Sequence, residues 1–312
     1  MAATNLCQMR IEDLPSVNAL LIRAFSAARR EEGFRRPELA LCRMEFLRFY
    51  LQDAPASCWV VEAEGGLCGA VFGHGLGRVG WIGPLAVSPE SQRQGLGRSL
   101  LQRCEEALRG LGCSLIGLET DAGSLYNLAF YSGLGYTPGP LLVDLSRAVE
   151  PGRMRALDPA IVRYAQDPAL FIARLPAFLA ANRIEADYLH LAGLLHRERF
   201  GESFLEMAGE EPQLFAALQL VPVSVQEKEG VGRIMAVVGP GETDAARLER
   251  FLCSIAGMAG CSHIVLRLST WYPLLITGLL RRGWSLNHSH LRFYLTAGET
   301  HGQGVMHLNK WD

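Results

Sequence analysis

The chain has no long apolar run, no basic block and no paired-cysteine motif, and each absence removes a class of protein. No stretch of its 312 residues approaches the about 20 apolar residues that a membrane-spanning helix needs, so no membrane partner is expected. Lys and Arg number 30 against 32 Asp and Glu, for a net charge of −2, and the basic residues are not clustered, so nucleic acid is not expected as a partner. The eight cysteines (Cys7, Cys42, Cys58, Cys68, Cys104, Cys113, Cys253 and Cys261) form no Cys-x-x-Cys pair. That spacing supports neither a metal site nor a disulfide framework. It reads as free, largely buried thiols in a reduced, cytoplasmic protein. The N-terminus also lacks the charged-then-apolar pattern of a secretory signal. Apolar residues make up 49% and charged residues 20%, enough to bury a core in each of two domains.

What is present centres on Trp81 to Leu101. Ile82 to Val87 is a short apolar strand closed by Pro89, and Ser88 to Gly97 is a polar loop carrying Gly95 and Gly97. From Arg98 onward, Leu100, Leu101, Cys104, Ala107, Leu108 and Leu111 make one face of a helix. A strand feeding a glycine-rich loop that opens a helix is an anion site. The first N–H groups of the helix have no internal acceptor, and the N-terminus carries partial positive charge. Glycines let a phosphate approach the backbone, and Gln92, Arg93, Gln94 and Arg98 add donors and charge. No Gly-Lys-Ser/Thr follows, so this is not a Walker A loop. The third glycine and the distal acidic residue of a dinucleotide fingerprint are missing too.

Gln92-x-x-Gly95-x-Gly97 after an apolar strand resembles the acyl-CoA loop of the GNAT superfamily of N-acetyltransferases. Phe130-Tyr131-Ser132-Gly133-Leu134-Gly135-Tyr136, further along, resembles a second GNAT motif, in which a tyrosine precedes a Gly-aromatic pair. The resemblance covers roughly residues 5 to 147. It implies acetyl-CoA as cosubstrate, held by Gln92, Arg93, Gln94, Gly95, Leu96, Gly97, Arg98 and Ser99. A backbone N–H from Leu85, Ala86 or Val87 would face the thioester oxygen. Tyr131 would be the general acid that protonates the departing thiolate. Glu119 is one candidate for the base that takes the amine proton, and His74 is another. Where many relatives carry an asparagine before the tyrosine, this chain has Ser124, with Asn127 one turn later as the candidate contact to the pantetheine arm. No metal is implied.

Around these motifs the text reads as strand (Met9–Leu14), helix (Pro15 onward), helix (Leu39–Leu51), the hairpin 58–63/67–73, strand 79–87, the loop and helix, strand 114–120, helix 124–133 and a closing strand 141–145. After Pro151-Gly152, residues 160–206 read as mostly helical, interrupted at Leu175-Pro176. Strands follow at 218–226 and 232–238, a helix at 244–258, a strand at 263–268, a helix at 272–282 and a strand at 291–296. The tail from Ala297 to Asp312 is polar and reads as loose or docked late.

The second half echoes the first. Gly112-Cys113-Ser114 recurs as Gly260-Cys261-Ser262, and Gly135-Tyr136 as Gly283-Trp284, both 148 residues later (260 against 112, 283 against 135). Arg153 to Pro159 echoes Gln8 to Asp13. In that register Gln92, Gly95, Gly97 and Tyr131 become Pro240, Thr243, Ala245 and Leu279, none of which can do the same work. The expected fold is therefore α/β, a mixed sheet with helices: two GNAT-like domains in tandem, residues 1–150 catalytic and residues 151–312 a degenerate copy serving as lid, acceptor wall or homodimer surface. The expected activity is transfer of an acetyl group to a peptide or small-molecule amine. A non-catalytic acyl-CoA-binding or interaction protein on the same scaffold is the alternative.

Overall fold

The computed structural model describes residues 4–149, 160–241, 243–295 and 305–310; the Arg153–Pro159 echo lies outside the described residues. The first half runs β1 (Asn5–Gln8), α1 (Leu14–Glu31), α2 (Met44–Asp53), β2 (Trp59–Ala63), β3 (Gly66–Leu76), β4 (Val79–Val87), α3 (Leu96–Gly110), β5 (Leu115–Asp121), α4 (Leu125–Gly133) and β6 (Thr137–Ala148). The second runs β7 (Ile161–Arg163), α5 (Pro168–Ala181), α6 (Tyr188–Arg197), β8 (Gly201–Ala208), β9 (Glu211–Gln219), β10 (Val231–Pro240), α7 (Ala245–Met258), β11 (His263–Ser269), α8 (Pro273–Arg281) and β12 (Ser285–Tyr294), with β13 (Val305–Asn309) at the end. The second series repeats the first element for element. β5, α4 and the start of β6 recur as β11, α8 and the start of β12 in the register of the cysteine and glycine anchors.

Helices arise where apolar residues recur every three or four positions. α3 buries Leu100, Leu101, Cys104 and Leu108; α7 buries Leu248, Phe251, Leu252 and Ile255. α5 continues through Pro176, because Phe171, Leu175 and Leu179 pin it to the core despite the missing donor. Several boundaries differ from the sequence expectation. The first strand precedes Met9, and Ile11–Asp13 is a 3-10 turn. Residues 39–43 are not helical; the Asn18 side chain donates to the Cys42 carbonyl (2.8 Å) and accepts from its N–H (2.9 Å), holding them extended. β9 ends at Gln219, and Leu220 onward is loop. The tail forms a strand where apolar Val305, Met306 and Leu308 find a partner.

The strands form one sheet in the order β1-β2-β3-β4-β5-β12-β6-β11-β10-β9-β8-β7, with β13 paired to β10. The closing strand of the first half does not lie beside β5. β12 does, and β6 sits between β12 and β11. Each half thus completes its sheet with the other half's last strand. α3 and α4 cover one end of a sheet face and α7 and α8 the other end, over separate clusters. On the opposite face, α1, α2, α5 and α6 share one cluster, in which Phe49 of α2 stacks on Phe200 at 3.8 Å. All eight cysteines are free, and no helix among the described residues is long and apolar enough to cross a membrane.

Strand exchange carries a consequence for cutting the chain. Halves separated between residues 150 and 159 are expected to co-purify when co-expressed. Either half alone would lack the strand that completes its sheet and should aggregate through the bare edge. Size-exclusion chromatography of joint and separate expressions checks this; a folded, monomeric first half would contradict it.

Candidate active site

β4 and β5 run parallel and pair only over Val79–Ile82 and Leu115–Leu118. Beyond that they part. Leu85, Ala86 and Val87 stay paired to Val71, Ala70 and Gly69 of β3, while Glu119 to Asp121 pair with Arg292 to His290 of β12. The edge of β4 at Leu85–Val87 therefore borders a gap rather than a neighbouring strand of the ladder.

The loop leaving β4 ends at this gap. Gly95 adopts φ +83°, a left-handed conformation that a side chain would strain. It precedes α3 without any side-chain cap, so the first N–H groups of α3, from Leu96, Gly97 and Arg98, are turned toward an approaching anion. At Gly97 an added Cβ would stand 3.3 Å from Phe130 Cζ and 3.8 Å from Val87 Cγ2, so this glycine keeps the floor of the cradle clear. The Gln92 side chain donates to the Val87 carbonyl (3.3 Å), the Gln94 amide reaches the Glu90 carbonyl (3.5 Å), and Ser99 donates back to Gly95 (3.3 Å). These three side chains shape the loop, and each glutamine amide keeps a second N–H. Arg93 and Arg98 are exposed beside it.

Tyr131 projects from α4 and packs against Phe130, Tyr136 and Phe293, the last from β12 of the second half. Burial, with a smaller contribution from Tyr126, pushes its phenol well above the ordinary value, so it stays protonated at neutral pH. Asn127 lies nearby, but its amide donates to Thr120 Oγ1 (2.7 Å), tying α4 to β5, while Ser124 caps α4 by accepting from the Asn127 N–H. Asn127 thus ties the helix to β5 with one amide N–H and keeps a second N–H and its carbonyl oxygen.

Both sequence candidates for the base are corrected by their surroundings. The Glu119 side chain is 1% exposed; Arg267 donates to its Oε2 (2.6 Å) and Arg292 to its Oε1 (2.9 Å). Both carboxylate oxygens are thus engaged by guanidiniums, which makes Glu119 a structural counter-charge. His74 is also buried, between Asp53 (3.1 Å) and the Gly83 carbonyl (3.0 Å), with Trp81 stacked on its ring. Burial would raise Asp53, but hydrogen bonds from His190 and His74 overcome it and hold the carboxyl below its ordinary value. These residues fix the point at which β4 turns away from β5.

Glu119 belongs instead to a buried seam. Arg267 also holds Asp144 (2.7 Å and 2.9 Å), and Arg292 also donates to Asn309 of β13 (2.7 Å). In the repeat register Glu119 is the counterpart of Arg267 and Asp144 that of Arg292. The acids of one half meet the arginines at the equivalent positions of the other, a signal the sequence already carried.

The equivalent site in the second half is closed in three ways. β10 and β11 pair over Val231–Arg233 and His263–Val265 and then part, but β13 fills the opening by pairing with Ala236 to Pro240. Asp244 caps α7, accepting from the Arg247 N–H (2.7 Å), so a carboxylate already sits where an anion would dock. Leu279, the counterpart of Tyr131, is buried in the core.

A parted parallel strand pair feeding an uncapped helix, with a protonated phenol beside it, can hold an anion and donate a proton. Residues 14–136 match the acetyltransferase (GNAT) family. N-alpha-acetyltransferase 30 of Dictyostelium discoideum is 29% identical over 94 residues, which cover 29% of this chain and 51% of that protein, about half its length. A Pyrococcus horikoshii protein solved as a candidate acetyltransferase superposes with a TM-score of 0.67 at 14% identity, covering 96% of this chain and 92% of that one. A tandem GNAT protein from the clavulanic acid biosynthesis pathway gives a TM-score of 0.58 at 15% identity over 96% and 100%. Residues 14–136 thus match a GNAT domain, and the fold of the chain is two GNAT-like units in tandem.

Proposed function

We propose that the chain is an N-acetyltransferase that moves an acetyl group from acetyl-CoA directly to an amine, and that the chemistry resides in the first half, residues 1–150. The observation that carries this reading is the asymmetry between two otherwise repeated sites. The first has an open strand gap, an uncapped helix and a tyrosine; the second has a plugged gap, a capped helix and a leucine. The second half, residues 151–312, is on this reading a degenerate copy. It supplies β12 to the catalytic sheet, and Cys42 and Arg43 beside α2 bond to its 223–229 loop, fixing the wall on the acceptor side. The reading includes a cytoplasmic location, supported by the eight free thiols.

Bound acetyl-CoA would supply an acyl thioester already activated toward attack. The N–H groups of Leu96, Gly97 and Arg98 would hold its pyrophosphate at the N-terminus of α3, with Arg93 and Arg98 adding charge. The unpaired edge at Leu85–Val87 would orient the thioester, one N–H facing the carbonyl oxygen. Tyr131, protonated at neutral pH, would donate its proton to the sulfur as the thiolate leaves.

Tyr131→Phe is expected to lower kcat by about 10²-fold, the usual size for a lost general acid, while the Kd for acetyl-CoA stays near that of the parent. Steady-state kinetics on a panel of amines (a free peptide N-terminus, lysine and glucosamine) beside titration calorimetry reads both. Unchanged turnover would make Tyr131 a packing residue and leave the transfer without its acid.

A further inference from the structure

Direct attack by an amine leaves a proton on nitrogen, and neither Glu119 nor His74 can accept it. We infer that the general base is His288, carried by β12 of the second half and oriented by Asp121 of the first. The inference rests on the transferase reading above and names the group it lacks.

The placement follows from strand direction. Because β4 and β5 are parallel, their separated ends are both C-terminal ends, and Asp121 closes β5 there. β12 runs antiparallel beside β5 with His290 opposite Asp121, so His288 extends past the end of β5. The Ala122 N–H bonds the Ser289 carbonyl (3.3 Å) and holds that overhang in place. Side chains alternate across a strand. Leu118 and Phe293 enter the core beneath α3, so Glu119, Asp121, Arg292, His290 and His288 share the opposite face. Tyr131 packs on the α3 side, against Phe293. Tyr131 thus lies on one face of the sheet, and His288 on the other, past the C-terminal end of β5.

The side chain is built for the task. His288 Nε2 lies 2.9 Å from Asp121 Oδ2, and the side chain is 42% exposed, at the solvent end of a polar row that runs inward. Its ring meets that of His290 edge-on at 4.6 Å, and His290 is held by Asp144 (3.0 Å) and Arg267 (2.7 Å). With the Nε2 proton facing Asp121, Nδ1 keeps its lone pair. Partial burial, then the neighbouring His290, lower the pKa of His288; Asp121 and Asp144 pull it back up, and Arg267 lowers it. The net direction keeps the ring neutral at pH 7 and able to accept a proton. In the step itself the amine nitrogen bonds the carbonyl carbon, the C–S bond breaks, the N–H proton passes to His288 Nδ1 and the sulfur takes the Tyr131 proton. His288 then releases its proton to water, and Tyr131 recovers one.

The test uses the full chain with acetyl-CoA, and a tetrapeptide with a free N-terminus as probe amine. Imidazole NMR signals, assigned by their loss in His288→Gln, should titrate below the ordinary value of about 6.5 and shift when saturating acetyl-CoA is added. His288→Gln should leave the Tm and the acetyl-CoA Kd near those of the parent and lower kcat/KM for the peptide by about 10²-fold or more at pH 7. The deficit should shrink as the pH rises toward the pKa of the amine, where hydroxide does the work. Asp121→Asn should move the acid limb of the pH profile to lower pH, because a carboxylate that favours the imidazolium is gone. His288 signals indifferent to saturating acetyl-CoA, or a variant with the parent's kcat/KM at every pH, would overturn the assignment. If calorimetry finds no acetyl-CoA binding by the parent chain, the transferase reading itself fails, and the base falls with it.

Discussion

Replacing Gly97 by aspartate is expected to remove the acetyl-CoA signal from titration calorimetry, whereas the parent chain gives one site per molecule. Two effects act together. The new Cβ would stand 3.3 Å from Phe130 Cζ, narrowing the cradle from below. The carboxylate would also occupy the N-terminus of α3, which the structure leaves without a side-chain cap, and repel a pyrophosphate there. The same charge is favourable to the helix, much as Asp244 is at the start of α7, so the fold should survive and the loss of binding can be read as a site effect. A drop in affinity of at least about 10²-fold is expected, since like charges at close range in a partly desolvated cradle cost several kcal/mol. The single site is the second half of the expectation. β13 in the gap beside β10 and the Asp244 cap leave the other half no place for the cosubstrate. Two sites in the parent, or one that survives Gly97→Asp, would move the binding site elsewhere.

The largest stability effect should come from Glu119→Gln. The substitution keeps the shape of the side chain and removes the charge that Arg267 and Arg292 share, both nearly fully buried. Breaking a buried ion pair by removing one partner costs about 3–5 kcal/mol, because the remaining charges stay desolvated. At roughly 2–4 °C per kcal/mol for a chain of this size, the Tm should fall by roughly 10 °C. Since both halves depend on the seam, they should unfold together; a variant with the parent's Tm, or one that melts in two steps, would show that the seam does not join them. The seam also gives a pH signature. Burial alone would raise Asp144, but Arg267 and His290 hold its carboxyl far below the ordinary range. A carboxyl depressed in the folded state stabilises the fold fully above its unfolded pKa of about 3.9, and that contribution fades as the pH falls through and below this value. Asp144→Asn should therefore be most destabilising at neutral pH and approach the parent in acid.

Much of this molecule is written in short-range patterns. The period of apolar residues sets α3 and α7, Gly95 marks the left-handed turn, Ser124 caps α4, and the recurrence of Gly-Cys-Ser reports the repeat. These signals are legible because the preferences behind them act within a few residues and do not wait for the rest of the chain. The loop that cradles an anion is of this kind, so Gln92 to Ser99 could be marked before any strand was paired. The order of the strands could not. Whether β6 or β12 lies beside β5 depends on how two strands in equivalent positions of the repeat compete for the same edge, which no short-range pattern settles. The exchange then decides what the side chains do. Glu119, plausible as a base on a strand facing the cosubstrate, becomes the anion between two arginines more than a hundred residues away. His288, unremarkable in the sequence, is carried past the end of β5 to meet Asp121. The role of a charged group is set by the charges and solvent around it, and only the tertiary structure assembles those.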